Sequence, residues 1–267
     1  MAALQCQALV VRMVDFGESD RIVHLLTPVS GRITAIAKGA RRSKRRFPGT
    51  LDLFNLLAVQ VERPRRASMK RLEHARLLRH FDALRVDPRR FALGGWLLEW
   101  VGRLAPEDGA GGDVQALFRF AVEALETVER EVPDDRLRML LELRALAAVG
   151  LRPEFRRCVR CGRDAGTGAA GQTVRQVGFH LGEGGTVCAA CAGGEVLRPV
   201  NLGTLRTLER ALSLPLDRID RLRLGPGMLR EASPLVVDFR RYHSGVELKS
   251  DAVVDAVFPP DGSRSPR

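Results

Sequence analysis

Two Cys-x-x-Cys pairs, Cys158-Val-Arg-Cys161 and Cys188-Ala-Ala-Cys191, restrict the fold of this chain more than any other feature. Two residues between cysteines let both thiolates of a pair face one ion from a tight knuckle. Gly162, directly after the first pair, supplies the φ > 0 turn that such knuckles often need. Two knuckles close a tetrahedron of sulfur and leave no open position for substrate or water. The chemistry read from Cys158, Cys161, Cys188 and Cys191 is therefore structural, one Zn2+ ion held by four thiolates. The 26 residues between the pairs slightly exceed the usual ribbon spacing. The alternatives are a reducible disulfide pair, unligated buried thiols, or His180 in place of one cysteine. Arg156, Arg157, Arg160 and Arg163 crowd the first pair and favour thiolate electrostatically. Cys6 lies in an apolar strand-like segment and reads as a small buried side chain.

Upstream, the periodicity divides the chain. Leu4–Val14, Arg21–Thr27, Arg32–Lys38, Leu53–Glu62 and Lys70–Leu78 read as strands, with turn chemistry at Phe16–Asp20 and Thr27–Gly31. Five short strands in about 80 residues suit a small barrel of the OB type, and an SH3-like barrel fits almost as well. Character changes at Asp87-Pro88, an N-cap followed by a first-turn proline. From there to Gly150 the pattern is helical, broken at Pro106–Gly112 and Val132-Pro133 into about three helices. Helical pattern resumes at Asn201–Leu214 and again from Ser233-Pro234 to about Tyr242. The expected fold class is α+β: an N-terminal OB-fold barrel, then an all-helical domain with an embedded four-cysteine zinc module. The expected divisions are 1–82 for the barrel, 83–150 with 198–258 for the helical domain, 151–197 for the zinc module and 259–267 for a disordered tail. No apolar run approaches the ~20 residues that span a bilayer, and the first twenty residues lack signal-peptide order. A cytoplasmic protein is expected.

The formal net charge of +11 is not spread evenly. Residues 32–90 carry 17 Lys plus Arg against 5 Asp plus Glu, a net of +12, while residues 91–267 are balanced at 24 of each. So localised an excess is an address for a polyanion, since solubility alone needs no such asymmetry. Lys38, Arg41, Arg42, Lys44, Arg45 and Arg46 fall within nine residues, and Arg63, Arg65, Arg66, Lys70 and Arg71 form a second cluster between the fourth and fifth strands, of which Arg65, Arg66 and Lys70 are the DNA-binding candidates. On an OB barrel these two loops border one groove that tracks phosphates rather than reading base edges. If about six cations neutralise phosphates of a single strand, the log–log salt slope is roughly −4. Phe16, Phe47 and Phe54 are the candidate stacking rings. No Gly-x-x-x-x-Gly-Lys-Ser/Thr run is present, which argues against ATP hydrolysis.

A set of motifs in a fixed order carries a resemblance. They are Asp15-Phe16-Gly17-Glu18-Ser19-Asp20-Arg21-Ile22-Val23, Gly31-Arg32, Ala37-Lys38-Gly39-Ala40-Arg41-Arg42, Glu142-Leu143-Arg144 with Gly150-Leu151, the two cysteine pairs, Phe179 with Glu183-Gly184-Gly185, and Arg241-Tyr242-His243-Ser244-Gly245 with Leu248-Lys249-Ser250. Over nearly its full length the chain resembles the RecO family of bacterial DNA repair and recombination mediators. The resemblance implies binding of single- and double-stranded DNA, annealing of complementary strands without catalysis, and partnership with RecR. It also implies contact with the acidic C-terminal tail of single-stranded DNA-binding protein and help in loading RecA, in the cytoplasm and at the nucleoid. It places DNA binding on Lys38, Arg41, Arg42 and their basic neighbours, and Arg32 is counted among the DNA-binding candidates. Two other classes stand beside it: a zinc-ribbon regulator that binds duplex DNA, and a metal-dependent nuclease, which needs grouped carboxylates.

Overall fold

The computed structural model describes residues 3–43, 46–47, 49–62, 69–109, 114–168 and 171–258. The expected tail at 259–267 lies outside them. The chain divides into two units, one built from residues up to Pro133 with those from Leu248 on, the other from Asp134 to Glu247.

The first unit opens with five strands, β1 (Leu4–Phe16), β2 (Asp20–Thr27), β3 (Gly31–Ala37), β4 (Asn55–Glu62) and β5 (Lys70–His80). They close a barrel in the order β1-β2-β3-β5-β4, with β3 and β5 parallel and all other pairs antiparallel. This order is the OB arrangement and decides between the two barrels the sequence allows. Strand β1 is long because it serves two partners: residues 4–9 pair with β4 and residues 9–16 with β2. A bulge between Val10 and Arg12 bends it from one to the other. Alternate residues fill the interior, among them Ala8, Val10, Val23, Leu25, Ile33, Ala35, Leu57, Val59 and Leu72.

The outward side of β1 and β2 is also covered. Leu9, Val11 and Leu26 are buried without belonging to the barrel interior. Helix α1 (Ala83–Val86) leads into α2 (Pro88–Leu104), which lies against β1, and α3 (Val114–Arg130) packs against α2, β2 and β3. Asp87 caps α2 by accepting from the Arg89 and Arg90 N–H groups. After α2 the chain runs back along β3, where the Arg32 N–H donates to Pro106 O at 2.9 Å and the Asp108 N–H to Arg32 O at 3.0 Å. Only glycine fits at Gly31 in this crossing: its φ is +61°, and a Cβ there would stand 2.4 Å from Pro106 O.

In the second unit, α4 (Asp135–Ala148) starts at Asp134, whose carboxylate accepts from the Leu137 N–H at 2.8 Å. Strands β6 (Gln176–His180), β7 (Gly185–Val187) and β8 (Arg198–Asn201) form a sheet in the order β7-β6-β8. The single turn α5 (Ala189–Ala192) follows β7, and α6 (Leu202–Ser213) follows β8. Helix α7 spans Pro226–Ser244, and α8 (Asp251–Val257) returns to the first unit. The sequence places the start of α7 at Ser233-Pro234, and the structure corrects this: Pro234 sits inside the helix. A second proline, Pro226 at the first turn, begins it eight residues earlier. Burial of Ala232, Leu235, Val236 and Phe239 holds the helix together across the hydrogen bond that Pro234 cannot donate.

Glu142 of α4 and Arg240 of α7 form an ion pair in which each side chain is 1% exposed. Two charges so enclosed depend on each other, because removing one strands the other in low dielectric. Glu142→Leu is expected to cost about 3–5 kcal/mol, read as a fall in thermal midpoint, whereas a surface ion pair would show little.

Candidate nucleic-acid interface and metal centre

The β1–β2 hairpin and the segment after β3 build one cationic rim. Gly17, at φ +58°, turns the hairpin so that its acidic residues face the residues that follow Ala37. Asp20 accepts from the Gly39 N–H at 2.8 Å and from Lys38 Nζ at 2.7 Å. These two bonds, the Lys38 bond foremost, hold its carboxyl below the usual aspartate range. The Arg41 N–H donates to Ser19 O at 2.9 Å, and its guanidinium lies 3.4 Å from Asp15. Arg42 pairs loosely with Glu18 at 3.5 Å, with 72% of its side chain in solvent. Lys38, Arg41 and Arg42 are thus gathered by the carboxylates of the hairpin they cross. Such exposed pairs are weak and screened by salt, so a phosphate can displace the carboxylates at small cost.

The other predicted contacts are placed differently. Arg46 donates to Glu73 O at 3.0 Å and Leu72 O at 3.4 Å, pairs with the Glu73 carboxylate, and lies over the Phe47 ring. It serves strand β5 just past the point where the β3–β5 pairing stops. Arg32 pairs with Glu107 at 3.3 Å, and Lys70 pairs with Asp108. Both bind the segment that crosses β3, away from the hairpin. Lys44, Arg45, Arg65 and Arg66 lie outside the described residues. Of the candidate stacking rings, Phe47 and Phe54 are core residues, and Phe16 alone is open, at 52%. The acidic hairpin residues that organise the rim carry a sequence signal, since Asp15, Glu18 and Asp20 flank Gly17 in a strand turn, but charge counting hides it.

In the second unit the four cysteines converge. Their sulfurs all lie within 4.8 Å of one another, and Cys161 Sγ and Cys188 Sγ are 3.8 Å apart. That spacing is far from the ~2.05 Å of a disulfide and matches the edge, about 3.8 Å, of a tetrahedron with ~2.3 Å metal–sulfur bonds. Gly162, at φ +75°, closes the first knuckle by donating to Cys158 O at 2.8 Å. The second knuckle is the α5 turn. Gly185 lets the first knuckle lie on β7: a Cβ there would meet Val159 Cγ1 at 2.5 Å.

The Arg163 N–H, and then its guanidinium, pull the Cys161 thiol down to about 6. Cys191, whose thiol hydrogen-bonds with Cys161 and Cys188, is instead pushed up to about 12. Four thiolates cannot coexist at this spacing alone, and a divalent cation is what lets all four ionise. The set can hold a metal ion. Of the four nearby arginines, Arg160 turns away from sulfur. It donates to Glu183 and Glu195, at 2.6 and 2.7 Å, and to Cys191 O at 2.8 Å, tying the two knuckles together. His180 lies 3.1 Å from Glu195 and accepts from the Glu183 N–H, outside the sulfur set.

A closed five-strand barrel with helices packed on its outer side, followed by a largely helical part that carries a four-cysteine set able to hold a metal ion, defines an OB-fold protein with a metal-binding C-terminal part. Comparison with known proteins gives the family. A model described as recombination protein O, N terminal, matches residues 1–81, and one described as recombination protein O, C terminal, matches residues 85–252. The chain is 35% identical over 260 residues to the DNA repair protein RecO of Anaeromyxobacter sp. (strain K), covering 97% of this chain and 98% of that one. It is 36% identical over 247 residues to the RecO of Myxococcus xanthus, covering 91% and 93%. It is 32% identical over 260 residues to that of Geobacter sulfurreducens, covering 97% and 100%. This chain belongs to the RecO family of DNA repair proteins.

Proposed function

We propose that this protein binds single- and double-stranded DNA through the rim formed by Lys38, Arg41 and Arg42 with the adjoining Lys44 and Arg45, and anneals complementary strands there. The observation that carries the reading is the gathering of Lys38, Arg41 and Arg42 by Asp15, Glu18 and Asp20 into one exposed edge, in a chain whose family is one of DNA repair. Arg65 and Arg66 are proposed as further phosphate contacts, while Arg32, Arg46 and Lys70 support the barrel.

Two strands repel through their phosphates. A cationic edge neutralises that repulsion and raises the local concentration of both, so pairing proceeds without a nucleotide cofactor or a covalent step. In the cell the protein acts in the cytoplasm at the nucleoid. There it works with RecR to promote RecA loading on gaps coated by single-stranded DNA-binding protein, whose acidic tail docks on the helical domain. The working parts are a barrel domain at 1–82, a helical domain at 83–150 with 198–258, and a module at 151–197 in which Cys158, Cys161, Cys188 and Cys191 hold one zinc ion. The ion supplies no reaction chemistry; it crosslinks the two knuckles.

Annealing of complementary oligonucleotides, measured without ATP across salt concentrations, tests this. With five cations on phosphates the binding slope is expected near −3.5, at about −0.7 per contact. Annealing should fade over the same salt range. Salt-insensitive binding, or strand loss in magnesium, would sink the reading.

A further inference from the structure

We propose that the cleft between the outer side of β1–β3 and helix α2 binds a nucleoside phosphate, either free or as the terminal residue of a nucleic-acid strand. The cavity holds about 370 Å³. That lies within the ~300–1,000 Å³ of small-ligand sites, room for one nucleotide residue and not for a length of strand.

One wall is cationic. Arg12, Arg32, Arg103 and Lys249 converge on it from β1, β3, α2 and the segment before α8. Arg32 Nη2 reaches Glu107 at 3.3 Å, but its Nε is buried with no hydrogen-bond partner. A buried donor left without an acceptor is costly and calls for an explanation. Glu99, the carboxylate in the lining, is already engaged: it accepts from the Lys249 and Ser250 N–H groups, at 3.0 and 2.9 Å, and from Ser250 Oγ at 2.6 Å. The wall is therefore set for an incoming anion.

Beside these charges the lining is apolar, made by Val11 and Leu98 with two glycines of α2, Gly95 and Gly102. Glycine inside a helix costs roughly 1 kcal/mol relative to alanine, so two on one face need a reason. A Cβ on Gly95 would meet nothing within 4 Å, and one on Gly102 would touch Val11 at 3.6 Å. A planar base fits against such a surface.

His24 also lines the cleft. Its Nδ1 is 3.0 Å from Thr34 Oγ1, which leaves Nε2 for the ligand. Burial, and then the charges of Arg12 and Arg32, hold its pKa below the usual imidazole range, with Glu107 opposing them. A phosphate beside the two guanidiniums would offset their charge and raise it. The site is separate from the rim, and its existence does not require that the rim bind DNA.

The test uses the full-length protein. Deoxyadenosine monophosphate should shift the His24 imidazole resonances and raise their titration midpoint. The double variant Arg12→Gln, Lys249→Gln should weaken binding at least tenfold. Gly95→Leu, which suits a helix better than glycine, should abolish binding while the thermal midpoint holds or rises. A short oligonucleotide with a 5′-phosphate that binds about tenfold more tightly than its 5′-hydroxyl form, with the gap closed by Gly95→Leu, assigns the strand end. Equal binding of the two forms alongside a nucleotide response assigns the free ligand. Three outcomes overturn the proposal: no His24 response to millimolar nucleotide, a response that Gly95→Leu leaves intact, or displacement of the nucleotide by an acidic peptide and not by inorganic phosphate.

Discussion

Replacing Arg41, Arg42 and Arg45 together with Glu is expected to lower single-stranded DNA affinity by roughly two to four orders of magnitude near 0.1 M salt. Each lost phosphate contact removes about 0.7 log units per tenfold change in salt, and each new carboxylate adds repulsion. The log–log slope should flatten toward about −1.5. The fold should survive, because Arg41 and Arg42 are surface side chains whose partners are carboxylates that solvent can also serve. Fluorescence anisotropy across salt, with circular dichroism as the folding control, reads both results. Unchanged affinity would remove the rim from the mechanism. Arg46 belongs in a separate variant: its donors serve the Leu72 and Glu73 carbonyls of β5, so Arg46→Glu should lower the thermal midpoint first and DNA binding only as a consequence.

The second large effect concerns the metal centre. Cys158→Ser with Cys188→Ser should take the metal content from one zinc per chain to none, measured by plasma mass spectrometry. Structural zinc sites supply about 10–16 kcal/mol of apparent binding energy in isolated fingers. Even if half of this is recovered by the surrounding helices, a fall of about 10 °C or more in midpoint follows. Amide exchange should quicken over β6 and β7, where Gly185 of β7 seats Val159 of the first knuckle, before it quickens in the barrel. Protein purified without metal and with an unaltered midpoint would contradict the assignment.

Much of this was legible in the sequence because it rests on local chemistry. The cysteine spacing announces a tetrahedral set, and the sulfurs do meet. The alternating strands announce a barrel, and each of its five strands lies within two residues of the predicted ends, whereas β6, β7 and β8 carried no such pattern. Pattern could not decide between barrel types, since the deciding feature is the parallel contact of Ala35 and Ile36 with Lys70 and Arg71, far apart in the chain. Long-range pairing likewise hid the fates of Arg32 and Lys70: a count of charges cannot know that Glu107 and Asp108 return to meet them. Pro234 misled for a related reason, because a proline signals a helix start only where tertiary burial does not carry the helix through.

The helices that bury Leu9, Val11 and Leu26 have a consequence for how a strand can be held. In an open OB barrel the outer side of the second and third strands is the cradle on which nucleobases lie. Here α2 and α3 occupy that seat, leaving an edge that can grip a strand by its backbone with few rings to engage the rest. On the proposed reading, a polynucleotide caught in this way would keep its Watson–Crick edges turned outward and unclaimed, open to search by a complement without first being let go.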